Sequence, residues 1–117
     1  MTPIRTKRVY DDPAPGDGRR VLVDRVWPRG RTRESLHLDA WIKDVAPSTD
    51  LRKWFDHRAE RWNEFRERYF HELAADPEGL RTLRELAGEG TLTLLYSARD
   101  RDHNQAVALR EFLEKGE

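Results

Sequence analysis

The spacing of apolar positions changes along this chain, and each change marks an element. Residues 20–26 (RVLVDRV) hold a continuous Val21-Leu22-Val23 run, the pattern of a strand covered on both faces. Residues 4–10 alternate weakly and carry Thr6 and Val9, which predicts an edge strand. Residues 91–97 (TLTLLYS) predict a third strand. Between them the period turns helical. Leu36, Leu38, Trp41, Ile42 and Val45 predict a short helix closed by Pro47. Ser48, Thr49 and Asp50 are N-cap residues ahead of Leu51, Trp54 and Phe55 at i, i+3, i+4. Residues 58–74 give the strongest helix, with Trp62, Phe65, Tyr69 and Leu73 on one stripe and Glu64–Arg68 in the favourable order. Asp76-Pro77 then opens another in the N-cap, N1 pattern. Leu80, Leu83, Leu86 and Ala87 line that helix, and Gly88 or Gly90 stops it. Asp102 is the expected cap of the last helix, with Gln105 at the capping-box position and Ala106, Leu109, Phe112 and Leu113 facing inward.

This order predicts the α/β class: a small, mainly parallel three-stranded sheet covered by helices, in a three-layer-like arrangement. More than sixty residues separate the second and third strands, enough for a helical crossover and hence parallel pairing. The turn-forming stretch 11–18 (DDPAPGDG) is too short for a full helical crossover, so the direction of the first strand stays open. At 117 residues the chain reads as a single domain over 1–117.

Composition sharpens the picture. Hydrophobic residues make up 37% and charged residues 38%, so the core is small and leans on four Trp, three Tyr and four Phe. The net charge is zero, which removes any global attraction to nucleic acid or membrane. Residues 1–33 nevertheless carry nine Lys or Arg against four acids, while 34–117 carry thirteen against eighteen. Cysteine is absent, which excludes disulfides, thiolate catalysis and Cys-ligated metals. No metal-ligand spacing, Walker loop or G-x-G-x-x-G occurs, so neither a metal nor a cofactor is called for. No apolar run approaches the ~20 residues of a membrane span. MTPIRTKRVY lacks a signal-peptide core, and the cytoplasm is the expected compartment.

The chemistry-bearing residues cluster where the two inner strands end. RVLVDRVWPRG releases Asp24, Arg25, Trp27 and Arg29 into a stiff turn. Tyr96, Ser97, Arg99, His103 and Asn104 follow the third strand. Parallel pairing brings both sets to one carboxyl edge, where open α/β sheets bind ligands. The expectation is a cleft for an anionic, phosphorylated small molecule or nucleotide. Arg25 and Arg29 would hold the anion, Asp24 would orient Arg25, and Trp27 would stack on a ring. His103 or His57 would carry a proton if chemistry occurs. Ser97 has no nucleophile elbow. The same residues admit plainer readings: an Asp24–Arg25 ion pair, a Trp27-Pro28 lid on the core, and a solvated arginine face. They also admit a nucleic-acid accessory module built on Arg19, Arg20, Arg29, Arg31 and Arg33 beside Trp27. A structural or interaction domain, as a homodimer, is the third reading.

RVLVDRVWPRG, APSTDLRKWFDH and TLLYSARDRDHN together resemble the YeaO-like proteins of DUF488, a bacterial domain-of-unknown-function family. The resemblance runs from TKRVYD to the final helix and implies a compact α/β domain without an assigned activity. Many relatives in the wider family carry Cys after the last apolar run and a Cys-His-Arg block at the following helix. The corresponding positions here are Tyr96, then Asn104, Gln105 and Ala106. Thiol chemistry therefore does not transfer, whereas Asp24, Arg25, Pro28, Arg29 and His103 match the family pattern.

Overall fold

The computed structural model describes residues 3–75 and 77–115. Four strands form one sheet: β1 (Ile4–Arg8), β2 (Arg19–Leu22), β3 (Ala40–Trp41) and β4 (Leu92–Tyr96). Their order is β1-β4-β2-β3 and every pairing is parallel. The helices are α1 (Arg33–Leu36), α2 (Thr49–Phe55), α3 (Trp62–Ala75), α4 (Pro77–Glu89) and α5 (Gln105–Lys115). None of the described helices is long and apolar enough to cross a membrane.

The three expected strands form, the first and third within two residues of their predicted ends and the second ending four residues early at Leu22, but the sheet has a fourth. Residues 36–45 do not make the predicted helix. Instead α1 lasts one turn and ends at His37, whose φ of 49° is left-handed. The chain then extends as β3. The reason lies in β2, whose outer side offers carbonyls that must be paired. Asp39 N–H donates to the Arg20 carbonyl at 2.8 Å and Ile42 N–H to the Leu22 carbonyl at 3.0 Å. Leu36 at the end of α1, Leu38 in the connection and Trp41 in β3 nevertheless all join one cluster.

The first strand is parallel, although only residues 9–18 join it to β2. Ten residues reach roughly 33 Å when extended, ample to return along a strand of about 17 Å. The return passes Thr91 closely. Gly18 has φ 62°, and a Cβ there would lie 2.3 Å from the Thr91 carbonyl oxygen. The Asp17 carboxylate fastens the return by accepting from Ala14 N–H, Lys7 and Arg20. Burial opposes its charge, but those donors together hold its carboxyl below the ordinary value.

The two faces differ. Val21, Val23, Leu92, Leu94 and Tyr96 face the main core, where α2, α3, α4 and α5 contribute Phe55, Phe65, Tyr69, Leu83 and Leu109. Leu22 and Leu95 face a smaller cluster with Val9 and Leu36, closed by Trp27 and Trp41 rather than by a long helix. The longer helices thus cover one face, not both as expected of three layers. The α3 stripe buries Phe65, Tyr69 and Leu73, and α4 buries Leu80 and Leu83. The proposed cap at Asp76 lies outside the described residues. The last helix is capped by Asn104, not Asp102. Asn104 Oδ1 accepts from Val107 N–H at 3.0 Å, whereas Asp102 N–H is taken by Asp100 Oδ1.

Candidate functional site

Because β2 and β4 run in the same direction, Asp24 and Ser97 leave the sheet on one rim and meet. Asp24 Oδ2 accepts from Ser97 N–H at 2.9 Å and from Ser97 Oγ–H at 2.6 Å. Its Oδ1 accepts from the Gln105 side-chain amide. Asp24 is 7% exposed. Burial pushes its carboxyl above the ordinary value, against the pull of these donors and of the Arg52 charge. Its backbone carbonyl accepts from the Trp41 indole at 2.7 Å. One carboxylate therefore ties the ends of β2 and β4 to the first residue of α5, and its carbonyl ties in β3.

Asp24 does not pair with Arg25. The Arg25 side chain turns toward the segment after β3, donating from Nε to the Pro47 carbonyl at 3.3 Å and from Nη2 to the Ala46 carbonyl at 3.2 Å. Both acceptors are neutral. Among the described residues no carboxylate forms an ion pair with this half-buried guanidinium. It borders a cavity of about 330 Å³ lined by Arg25, Asp44, Ser48, Tyr69 and Glu72, with apolar walls from Ala46 and Leu73. That volume stands at the lower limit of small-molecule sites.

The cavity wall is rigidly held. Tyr69 is buried and its hydroxyl donates to the Val45 carbonyl. Burial, with Glu72 and Asp24 nearby, raises its phenol far above the ordinary range, so it remains a neutral hydroxyl. Glu72 accepts from Ser48 N–H at 2.8 Å and Ser48 Oγ–H at 2.6 Å, while Ser48 Oγ caps α2 by accepting from Leu51 N–H. These dipoles disperse the Glu72 charge. Asp44 is exposed at the rim.

The other predicted residues lie elsewhere. Trp27 packs edge-on against Trp41, with ring centroids 5.2 Å apart, and its indole donates to the Arg31 carbonyl. Pro28 is buried beside it. The Arg29 side chain is exposed, and its carbonyl accepts from the Tyr10 hydroxyl. His103 shares Nδ1 with Asp100 Oδ2 at 3.0 Å and packs against Trp62. Asn104 is the buried helix cap described above. His57 is exposed at the end of α2, with φ 54°. Neither histidine lines the cavity. Ser97 and Asp24 meet each other, and Arg25 alone of the predicted set borders the cavity.

Gln105, Ser48, Tyr69, Glu72 and Asp44 were not expected at the site. Ser48 and Tyr69 had local signals, as a cap and as a core-stripe residue, but nothing in either pattern says which segment it faces. Gln105 has the spacing of a capping box, but its amide reaches across the rim to Asp24 instead. Among the described residues no group of three His, Asp or Glu is placed to hold a metal ion.

A family model described as "Inactive DUF488-N3 subclade" matches residues 3–116. The chain belongs to this DUF488 family. It is 44% identical over 110 residues to the uncharacterised protein YeaO of Escherichia coli, covering 94% of this chain and 96% of that one. It is 43% identical over 112 residues to an uncharacterised protein of Mycobacterium tuberculosis, covering 96% and 94%. An uncharacterised protein of Mycobacterium bovis stands at the same identity and coverage. No solved structure matches the chain. The DUF488 resemblance carried by RVLVDRVWPRG, APSTDLRKWFDH and TLLYSARDRDHN is thus borne out over nearly the whole chain.

Proposed function

We propose that this DUF488 domain is a binding module for a small anion, held on Arg25 in the cavity between β2, the segment after β3, and α3. The observation that carries this reading is a half-buried guanidinium that, among the described residues, donates to two neutral carbonyls and borders open volume. A guanidinium held partly out of bulk water with no carboxylate in ion-pair contact attracts an anion, because the interaction is weakly screened there. A planar guanidinium favours a carboxylate or phosphate. The reading is of binding rather than turnover. The matching family is described as inactive, and the two histidines that would carry protons lie away from Arg25. Asp24 serves by fixing the backbone ahead of Arg25, not by touching the anion.

Thermal unfolding with phosphate, pyrophosphate, sugar phosphates and small carboxylates tests this. A ligand at ten times its Kd adds about 1.4 kcal/mol of stability. For a domain of this size that raises Tm by about 5 °C. Arg25→Gln is expected to abolish the rise while leaving the fold intact, since it keeps a side-chain donor for the Ala46 or Pro47 carbonyl. An anion-induced rise that survives in Arg25→Gln, or no rise with any of these anions, refutes the proposal.

A further inference from the structure

The charges around the cavity are not those of a site for a simple anion. Among the described residues Arg25 is the single cation in its lining, whereas Asp44 and Glu72 are both acidic. A ligand carrying only negative charge would gain from Arg25 and meet repulsion from two carboxylates. Glu72 is partly quenched, since each of its oxygens accepts a bond from Ser48. Each still keeps accepting capacity, because an ionised carboxylate oxygen can take more than one donor. Asp44, exposed at the rim, has no such quenching donor among the described residues. The remaining walls divide in the same way: Ala46 and Leu73 are apolar, and Tyr69 spends its proton on the Val45 carbonyl. The cavity lining thus combines one charged donor, Arg25, with two carboxylate acceptors, Asp44 and Glu72.

Resting on the anion-binding reading above, we infer that the ligand is zwitterionic: a compact molecule with a carboxylate or phosphate for Arg25 and a primary ammonium for Asp44 and Glu72. A volume of about 330 Å³ accommodates a molecule the size of an amino acid or an amino-alkyl phosphate. It leaves little room for a nucleotide. The ammonium supplies three donors for these two carboxylates. Placing it there removes the repulsion that a bare anion would meet.

Matched pairs of probes separate this inference from its parent. Calorimetric titration compares phosphoethanolamine with ethyl phosphate, and γ-aminobutyrate with butyrate. The amine-bearing member of each pair is expected to bind at least fivefold more tightly, the ratio that about 1 kcal/mol of charge pairing produces. Asp44→Asn is expected to erase most of that preference while leaving the affinity for ethyl phosphate unchanged or improved. Asp44 is exposed, so this variant folds; Glu72→Gln is the second variant and keeps an acceptor for Ser48. Ethyl phosphate or butyrate binding as tightly as its amine partner overturns the zwitterion inference and leaves the anion reading standing. Equal preference in Asp44→Asn, Glu72→Gln and the parent chain also overturns it. Failure of all four probes to bind overturns both readings.

Discussion

Replacing Asp24 probes the junction on which the rim depends. Asp24→Ala deletes the acceptor for the Ser97 N–H, the Ser97 hydroxyl and the Gln105 amide at once. The hydroxyl can rotate to another acceptor; the N–H and the amide cannot move far. Leaving a buried donor unpaired costs about 1–3 kcal/mol, and both groups here are partly reachable by water. A loss of about 3 kcal/mol follows. An unfolding entropy of about 0.25 kcal/mol/K for 117 residues makes this a fall of about 12 °C in Tm. Asp24→Asn should behave differently. Its carbonyl oxygen can keep Ser97, and its amide can face Gln105 once that side chain turns to present oxygen, so about 1 kcal/mol is lost. The comparison also has a pH signature. Burial raises the Asp24 carboxyl above 3.8 in the folded chain, so the folded state binds its proton more tightly than the unfolded state does. Unfolding then releases a proton in that window, and stability falls as pH rises from about 3.8 through the raised value. The parent chain should therefore be at its most stable relative to Asp24→Asn below this window, and lose ground above it. Urea unfolding at intervals between pH 3 and 7 measures the difference. The reasoning is refuted if the alanine variant loses no more than the asparagine variant, or if the parent gains on Asp24→Asn as pH rises.

Two further perturbations test the scaffold around the site. Gly18→Ala should destabilise by about 2 kcal/mol or more in denaturant titration, because a methyl there meets the Thr91 carbonyl oxygen and the positive φ disfavours any side chain; a neutral result would show that the 9–18 return is not tightly placed. Asn104→Ala should cost about 1 kcal/mol through loss of the cap on Val107 N–H, with Asn104→Asp recovering most of it and Asp102→Ala nearly silent.

Where the residues announced their own environment, the fold was legible. The Val21-Leu22-Val23 run and the stripe of Phe65, Tyr69 and Leu73 are local patterns that only a buried strand and a one-sided helix satisfy, and both formed. Residues 36–45 misled because Leu36, Leu38 and Trp41 pack into one cluster from three different pieces of chain: the end of α1, the connection after it and β3. The open carbonyls of β2, invisible in a local window, decided for an edge strand over a helix. The direction of β1 was hidden for a related reason: Gly18 and Asp17 make a short return workable, and their effect depends on Thr91, Lys7 and Arg20. At the rim, the meeting of Asp24 with Ser97 followed from parallel strands. The direction taken by Arg25 did not, since its acceptors are main-chain carbonyls that carry no sequence signature. The acidic side of the cavity arises from α3 and the segment after β3, two stretches whose proximity is a tertiary fact.

Strand β4 lies between β1 and β2 in the sheet yet follows both in the chain. While the protein emerges from a ribosome, its first two strands therefore have no inner partner until more than ninety residues have been made. Both leave hydrogen-bonding edges bare in the meantime, which exposes a nascent chain to wrong pairing with its neighbours. Chains that end before Leu92 should accumulate as aggregates rather than as partly folded domains.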